Sequence, residues 1–276
     1  MKTLQIHLAK TQYYRWYQLY ERPMTDARIR NQLELLAEDI LLQSAAGEMR
    51  GKESYPERLK VYEGWQNAHH VQEISIQEHE DGFLQLNASI RYQNIKPDGE
   101  KASYTIDYTI NFESFERSLP QFKTVKITPT GQTNDIFADA YPENRCKASM
   151  HYWLANMEQC DGNATPFVEL LADRFELNFS SGKVSSIEEL STWLNGAPKH
   201  MKESNHHPEN FKVTVIDKNT YEINVEFDWN GITLDDKKMI ARTAHHWILT
   251  DNPEERFARI KTMNVTALVP FTVVES

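Results

Sequence analysis

Apolar residues recur at helical spacing in two segments of the chain that lie 135 residues apart. A spacing of i, i+3, i+4 and i+7 places side chains on one face of a helix. The positions are Leu33, Leu36, Ala37 and Ile40 in the first segment and Val168, Leu171, Ala172 and Phe175 in the second. The pattern therefore predicts one amphipathic helix in each half of the chain.

A second helix is predicted in each half by a capping box. Ser54 and Glu57 have the spacing at which a serine oxygen caps the first turn and a glutamate reaches back to the serine amide. Ser185 and Glu188 repeat this spacing 131 positions later. We therefore expect a short capped helix to begin at each serine.

Strict alternation of apolar and polar residues predicts strands after these helices. In the first half the apolar positions are Leu84, Leu86, Ala88, Ile90 and Tyr92, then Tyr104, Ile106, Tyr108, Ile110 and Phe112. Adding 137 gives Tyr221, Ile223, Val225, Phe227 and Trp229, then Ala241, Thr243, His245, Trp247 and Leu249. Edge strands are predicted at 71–77 and 211–216, and last strands at 123–128 and 261–269.

The two halves share the order of their predicted elements, the alternation of apolar residues along their strands, and a capping box. These matches indicate a tandem duplication. The offset varies from 131 to 137 residues, as small loop insertions would make it. Each half also begins with an aromatic-rich helix, around Trp16 in the first and around Trp153 in the second. The turn-rich segment Pro129–Asp135 predicts a linker, which gives domains of residues 1–132 and 133–276. Because helices precede the strands, the predicted fold class is α+β, with helices packed on a curved antiparallel sheet.

Composition and charge exclude several classes of partner. The net charge of −10 comes from 40 acidic and 30 basic residues without a basic block, so we expect neither nucleic acid nor an anionic membrane surface as a partner. No apolar run reaches the length of a membrane span, and no signal peptide is recognised, so we expect a cytoplasmic protein. Cys146 and Cys160 match no metal spacing, and no glycine-rich cofactor motif occurs, so no cofactor is expected.

The order of elements resembles the nuclear transport factor 2-like superfamily, which includes SnoaL-like cyclases and ketosteroid isomerase. The residues that carry the resemblance are 36–39 followed by 54–65 in the first half, and 171–173 followed by 185–194 in the second. The resemblance covers almost the whole chain, once per half, and implies two tandem cone-shaped domains. It also implies that exposed sheet faces associate, so we expect the halves to form an intrachain pseudo-dimer.

The same resemblance indicates which positions of this chain match the general-base aspartate of isomerase-like members. That position falls on Ser44 in the first half and on Phe179 in the second, and neither side chain can shuttle a proton near neutral pH. A second acid of such members is matched by Asp107, but strand parity places Asp107 on the solvent face, opposite Tyr108. The isomerase-like acid–base pair is therefore not expected in either half.

One histidine of the predicted interior remains a candidate base. His245 lies between Thr243 and Trp247 on the inner row, and it could act as a base or bind a ligand because histidine titrates near neutrality. The alternative is a hydrogen-bonded core histidine. Tyr14 and Tyr17 on the first helix could likewise donate hydrogen bonds into the first cone, or simply pack in the core.

Three histidine pairs occur, at 69–70, 206–207 and 245–246, and the first two align between the halves. Adjacent strand residues face opposite ways, so a pair cannot chelate one metal alone. A shared site would need His206 or His207 with a further ligand such as His200 or His151. Because no zinc spacing is present, we predict no metal site.

Three functional hypotheses follow from the aromatic interior. The first is binding of an apolar or aromatic small molecule in one or both cones. Its lining residues would be Tyr14, Tyr17, Tyr62, Trp65, Tyr92 and Tyr108 in the first cone and Trp193, Phe227, Trp229 and Trp247 in the second. The second is an isomerase, cyclase or hydratase of the SnoaL-like kind with His245 as base. The third is a structural or interaction module with filled cones.

Overall fold

The computed structural model describes residues 2–79, 83–113 and 119–274. Two compact units divide these residues: 8–148 with 253–255 form the first unit, and 2–7, 149–252 and 256–274 form the second. The two sheets and their helices occupy consecutive halves of the sequence, which confirms the predicted two-domain α+β class. The domain boundary between residues 132 and 133 stays a prediction.

The described residues of the first half form three α-helices and six strands. In chain order they are α1 (Thr3–Gln18), α2 (Asp26–Leu33), β1 (Leu36–Ser44), β2 (Gly47–Arg50), α3 (Tyr55–Leu59), β3 (Gln66–Glu78), β4 (Leu84–Ile95), β5 (Lys101–Phe112) and β6 (Phe122–Thr133). Short 3-10 turns flank α3 at Lys52–Ser54 and Lys60–Tyr62. The sheet order is β2-β1-β6-β5-β4-β3, in which β1 runs parallel to β6 and the other neighbours are antiparallel.

The second half repeats this topology. Its elements are α4 (Tyr141–Met157), a 3-10 segment Thr165–Leu170, β7 (Leu171–Phe179), β8 (Gly182–Val184), α5 (Ile187–Leu194), a 3-10 segment Ala197–His200, β9 (Met201–Asp217), β10 (Thr220–Thr233), β11 (Lys238–Thr250) and β12 (Arg259–Val273). The sheet order is β8-β7-β12-β11-β10-β9, with β7 parallel to β12. Each strand thus has its counterpart six strands later, which supports the duplication.

The helix that begins each half covers the inner face of a sheet. In the first unit the rings of Tyr13 and Tyr17 on α1 lie 6.0 and 5.9 Å from the Tyr108 ring on β5, and Trp16 lies 5.6 Å from Phe122 on β6. In the second unit Trp153 on α4 lies edge-on against Trp247 on β11, at 6.1 Å. The predicted inner rows of β4, β5 and β10 are mainly buried, as alternation required.

The first predicted helix of each half is wrong over most of its length. Helix α2 ends at Leu33, and Leu36 to Ile40 lie in β1; likewise Leu171 to Phe175 lie in β7. Over eight residues, apolar spacing does not separate a helix from a strand. These segments form strands because β1 pairs in parallel with β6 and β7 with β12. The pairing partners lie about 85 residues away along the chain.

The predicted linker also begins too early. Residues Pro129 to Thr133 end strand β6, and irregular chain starts at residue 134. Thr130 is skipped in the pairing of β6 with β5, which marks a bulge where proline is tolerated. Gly131 is needed here because a Cβ on it would lie 2.9 Å from Thr105 Oγ1. Proline and glycine therefore mark a bulge in this segment, and irregular chain follows it.

Only one of the two capping boxes forms, and it is shifted by one residue. Ser186, instead of Ser185, caps α5 by accepting from the backbone N–H of Glu189, and the Glu189 carboxylate accepts from the backbone N–H of Ser185. Ser54 precedes α3 but makes no side-chain capping hydrogen bond. The box predicted at Ser54 and Glu57 is therefore wrong.

Replacing the functional cap tests this difference. We expect Ser186→Ala to lower the free energy of unfolding by about 1 kcal/mol, because it removes the acceptor for a first-turn amide. Ser54→Ala is the matched control and should change it by less than about 0.5 kcal/mol. Urea denaturation of both variants measures the two values. Equal losses in the two variants would contradict the assignment.

No helix among the described residues is both long enough and apolar enough to cross a bilayer.

Candidate functional site

A cavity of about 200 Å³ lies in the first unit between the helices and the inner face of the sheet. Its walls are mainly apolar: the aromatic residues are Trp16, Tyr20, Tyr62, Tyr92 and Tyr108, and the others are Leu42, Ala45, Ala46, Ile106, Ile127 and Pro129. Four polar side chains also line it: Ser44, Arg58, Asn67 and His69. Large apolar walls with a few polar groups are typical of small-molecule sites.

Exposure separates the mouth of this cavity from its floor. Ala45 and Ala46, in the turn between β1 and β2, are exposed, and Ser44 and Arg58 beside them are half-buried. The lining residues His69 and Tyr108 are buried, at 6% and 5% exposure. The open end of the cavity is therefore near Ser44 and Arg58, and His69 lies in its buried part.

His69 is held by a buried carboxylate. Glu21, three residues after α1, accepts from the His69 backbone N–H at 2.8 Å, and His69 Nδ1 lies 3.1 Å from the same oxygen, Oε1. Asn144 Nδ2 donates to both carboxylate oxygens and to the His69 carbonyl. The Glu21 side chain has no exposed surface, so its carboxylate is shielded from water.

The geometry of this pair fixes the role of each ring nitrogen. A carboxylate only accepts hydrogen bonds, so Nδ1 of His69 carries a hydrogen and Nε2 of the neutral ring carries the lone pair. Among the described residues, Nε2 has no hydrogen-bond partner. The ring is clamped between Tyr17 at 4.5 Å and Tyr92 at 4.9 Å, both stacked on it. His69 is thus held in a defined orientation in the wall of the cavity.

Phenol hydroxyls supply neutral donors around His69. Tyr92 donates to Asn67 Oδ1 at 2.7 Å, and Asn67 donates in turn to the Tyr20 carbonyl at 2.9 Å. The pKa of the Tyr92 and Tyr108 hydroxyls is raised well above the usual tyrosine value, mainly by burial. These phenols therefore stay protonated. Tyr92 already donates its one hydrogen to Asn67, so Tyr108 is the phenol of this pair that can donate to a ligand.

The second unit repeats the carboxylate–histidine pair. Glu158 Oε1 accepts from the His206 backbone N–H at 2.6 Å and lies 3.3 Å from His206 Nδ1. His7 takes the place that Asn144 has in the first unit, with Nε2 at 3.2 Å from Glu158 Oε1. Burial raises the pKa of the Glu158 carboxyl, but hydrogen bonds from His206 and His7 outweigh burial and leave it lowered. Glu158 is therefore held as a carboxylate.

His245 is bonded at both of its ring nitrogens. Trp247 Nε1, which can only donate, donates to His245 Nδ1 at 3.2 Å, and His245 Nε2 lies 3.0 Å from Thr243 Oγ1. Nε2 therefore carries the hydrogen of the neutral ring, and no lone pair is left for a substrate. Burial, and then His206, lowers the pKa of His245 to about 3. The role of His245 as a base stays a prediction, and this geometry does not support it.

The other predicted lining residues of the first half divide into two groups. Tyr62, Tyr92 and Tyr108 line the cavity, and Tyr17 lies behind it against His69. Tyr14 lies under the Lys147 ammonium, and Trp65 packs edge-on against Tyr62. Ser44, the position of the missing isomerase base, also lines the cavity.

The predicted residues of the second half contact one another in pairs. Trp193 stacks on Phe179 at 4.1 Å, and Phe227 lies edge-on to His245 at 4.7 Å. Trp229 donates to Ser204 Oγ, and Trp247 is fully buried. Their role in ligand binding stays a prediction. Asp107 is exposed on β5, opposite the inner row that includes Tyr108.

Sequence reasoning missed the two glutamates, Arg58 and Asn67. A signal for the glutamates was present, because Glu21 and Glu158 are separated by 137 residues, and so are His69 and His206. His151 does contact a histidine, with its Nδ1 2.9 Å from His7 Nδ1. In the ranges the structure covers, however, no three histidine, cysteine or acidic side chains are placed to hold a metal ion.

Neither a family model nor a curated protein sequence matches the chain significantly. Solved structures match about half of it. The hexachlorocyclohexane dehydrochlorinase LinA-type3 from Novosphingobium barchaimii has 9% identity and a TM-score of 0.40 over 46% of this chain and 86% of its own. An NTF2-like superfamily protein from Salmonella enterica has 10% identity and a TM-score of 0.39, over 46% of this chain and 92% of its own. An uncharacterized protein with a cystatin-like fold from Caulobacter vibrioides has 12% identity and a TM-score of 0.39, over 47% of this chain and 91% of its own.

The element order and sheet topology of each half agree with those expected from the nuclear transport factor 2-like resemblance.

Proposed function

We propose that the first unit binds a small cyclic molecule in its cavity and that His69 removes a proton from a carbon of that molecule. The observation that carries this proposal is the Glu21–His69 pair, whose free nitrogen belongs to a residue of the cavity wall. A buried carboxylate that orients a histidine and stabilises its cation is a recurring arrangement for general-base catalysis.

The cavity itself sets the size and character of the ligand. An apolar cavity of about 150 Å³ accepts benzene, so about 200 Å³ suits one ring with a few further atoms. Aromatic walls favour a flat ring through stacking and edge contacts. The Tyr108 hydroxyl and the second Nδ2 hydrogen of Asn67 would bind an oxygen of the ligand, on which negative charge develops when the proton leaves.

Binding without catalysis is the second candidate function, and the aromatic walls alone favour it. It predicts that His69 contributes shape and polarity but no rate. The two candidates therefore differ in what happens to a bound molecule that carries an acidic C–H bond.

The test uses 5-nitrobenzisoxazole, a neutral probe of positioned bases in which a benzene ring is fused to an isoxazole ring. When a base takes its ring C–H proton, the C–H electron pair completes a nitrile, the N–O bond breaks, and a coloured phenolate forms. We expect turnover by the wild-type chain, and a loss of about 100-fold in kcat/KM in His69→Gln, because the amide cannot accept the proton.

His246→Gln is the control, since His246 is a half-exposed histidine of the second unit. It should leave the rate unchanged. Turnover that survives His69→Gln in full would remove the catalytic proposal and leave binding. Circular dichroism of each variant shows that it is folded.

A further inference from the structure

Arg58 brings a positive charge to the cavity. Its guanidinium lines the cavity and donates through Nη2 to Ser44 Oγ. In the part of the chain that the structure describes, it forms no ion pair with a carboxylate. Arginine stays charged at all accessible pH values and has five N–H donors, so most of its donors remain available.

Ser44 is arranged as a second donor beside this charge. Its hydroxyl oxygen accepts from the Arg58 guanidinium and, at 3.1 Å, from the backbone N–H of Ala46. A hydroxyl oxygen has two lone pairs, so both are occupied and the hydroxyl hydrogen is left to donate. Arg58 and Ser44 thus present only donors to a ligand at the mouth of the cavity.

We propose that the molecule bound here is a one-ring carboxylate, with its carboxylate on Arg58 and Ser44 and its ring between the tyrosines. A planar carboxylate with two acceptor oxygens fits a guanidinium beside a hydroxyl donor. The ring then extends from the half-buried mouth toward buried His69. The proton-transfer part of this assignment rests on the proposed function, whereas the binding part rests on Arg58 and Ser44 alone.

The second half provides an internal contrast. With the offsets of the repeat, Ser44 corresponds to Phe179 and Arg58 to Glu189. Phe179 stacks on Trp193, and Glu189 is engaged at the cap of α5. Neither donor is present at the equivalent positions, so we assign the carboxylate site to the first unit only.

Calorimetric titration with benzoate and with benzamide tests the assignment directly. The two probes have the same ring and nearly the same shape, but only benzoate is charged. We expect the wild-type chain to bind benzoate at least about tenfold more tightly, because its hydrogen bonds to Arg58 are charge-assisted. Arg58→Gln should weaken benzoate binding about tenfold and change benzamide binding less than about twofold.

Two further variants keep the outcome clear. Arg58→Lys retains the charge without the fork of donors and should retain part of the preference for benzoate. Arg50→Gln removes an exposed arginine, paired with Glu48 on β2, and should change neither affinity. Equal affinity for the two probes, no binding of benzoate, or equal losses for both probes in Arg58→Gln would each overturn the carboxylate assignment.

The binding and turnover experiments, done on the same protein, distinguish the carboxylate assignment from the proposed catalysis. Benzoate preference that depends on Arg58, without turnover of 5-nitrobenzisoxazole, would support the carboxylate site and reject proton transfer by His69. Turnover that depends on His69, with no preference between benzoate and benzamide, would reject the carboxylate site and support proton transfer.

Discussion

Glu21→Ala is expected to lower the free energy of unfolding by about 3–5 kcal/mol, because it removes the acceptor of a buried hydrogen-bond network. The His69 backbone N–H, His69 Nδ1 and Asn144 Nδ2 all lie within 3.1 Å of Glu21 Oε1. Without the carboxylate, these donors would stay buried and lose a common acceptor. Urea denaturation followed by circular dichroism measures the loss.

Glu48→Ala is the matched control for this prediction. Glu48 is an acidic residue of the same unit, but its side chain is 43% exposed and its partner Arg50 is 73% exposed. Solvent-exposed pairs of this kind contribute about 0–1 kcal/mol. A loss in Glu21→Ala no larger than that in Glu48→Ala would show that the network does not stabilise the first unit.

The equivalent change in the second unit extends the test. Glu158 accepts from the same two groups of His206 and from His7. We therefore expect a similar loss in Glu158→Ala, whereas the effect on turnover of 5-nitrobenzisoxazole should be confined to Glu21→Ala. This difference separates the structural role, which both pairs share, from the catalytic role proposed for one of them.

Strands with strict alternation were predictable from the sequence, and strands without it were not. The inner row from Leu84 to Ile90 has period two over seven residues, and it lies buried in β4. In β1, by contrast, Leu36 and Ala37 are both buried, followed by two exposed residues. That irregular pattern reflects a register shift in the parallel pairing with β6, which no local pattern encodes.

The aromatic wall of the site followed from the sequence, but its chemistry did not. Strand parity placed Tyr92 and Tyr108 on the inner row, and both line the cavity. The Glu21–His69 contact joins the chain after α1 to β3, 48 residues later, and depends on how the helix lies across the sheet. Composition and spacing carry no such information, and only the equal offset in the two halves could have revealed the pair.

His245→Gln is expected to flatten the pH dependence of stability between about pH 3 and pH 6.5. The pKa of His245 is lowered from 6.5 to about 3 in the folded chain, chiefly by burial. Between these values the unfolded chain binds the proton and the folded chain does not, so stability falls as the pH is lowered. The loss attributable to His245 reaches about 4 kcal/mol near pH 3, at roughly 1.4 kcal/mol per pH unit.

Glutamine preserves the local hydrogen bonds while removing the titration. Its amide oxygen can accept from Trp247 Nε1, and its amide nitrogen can donate to Thr243 Oγ1, as the two ring nitrogens do now. At pH 7 we expect His245→Gln to cost about 1 kcal/mol or less. Near pH 4 the variant should be more stable than the wild-type chain, so the two stability curves cross.

Urea denaturation at half-unit steps from pH 3.5 to pH 8 measures both curves. Above pH 6.5 His245 is neutral in the folded and the unfolded chain, so the curves should run parallel there, which provides an internal control. Curves that stayed parallel down to pH 3.5 would show that His245 is protonated in the folded chain. The hydrogen bond from Trp247, which needs a lone pair on Nδ1, would then have to break in acid.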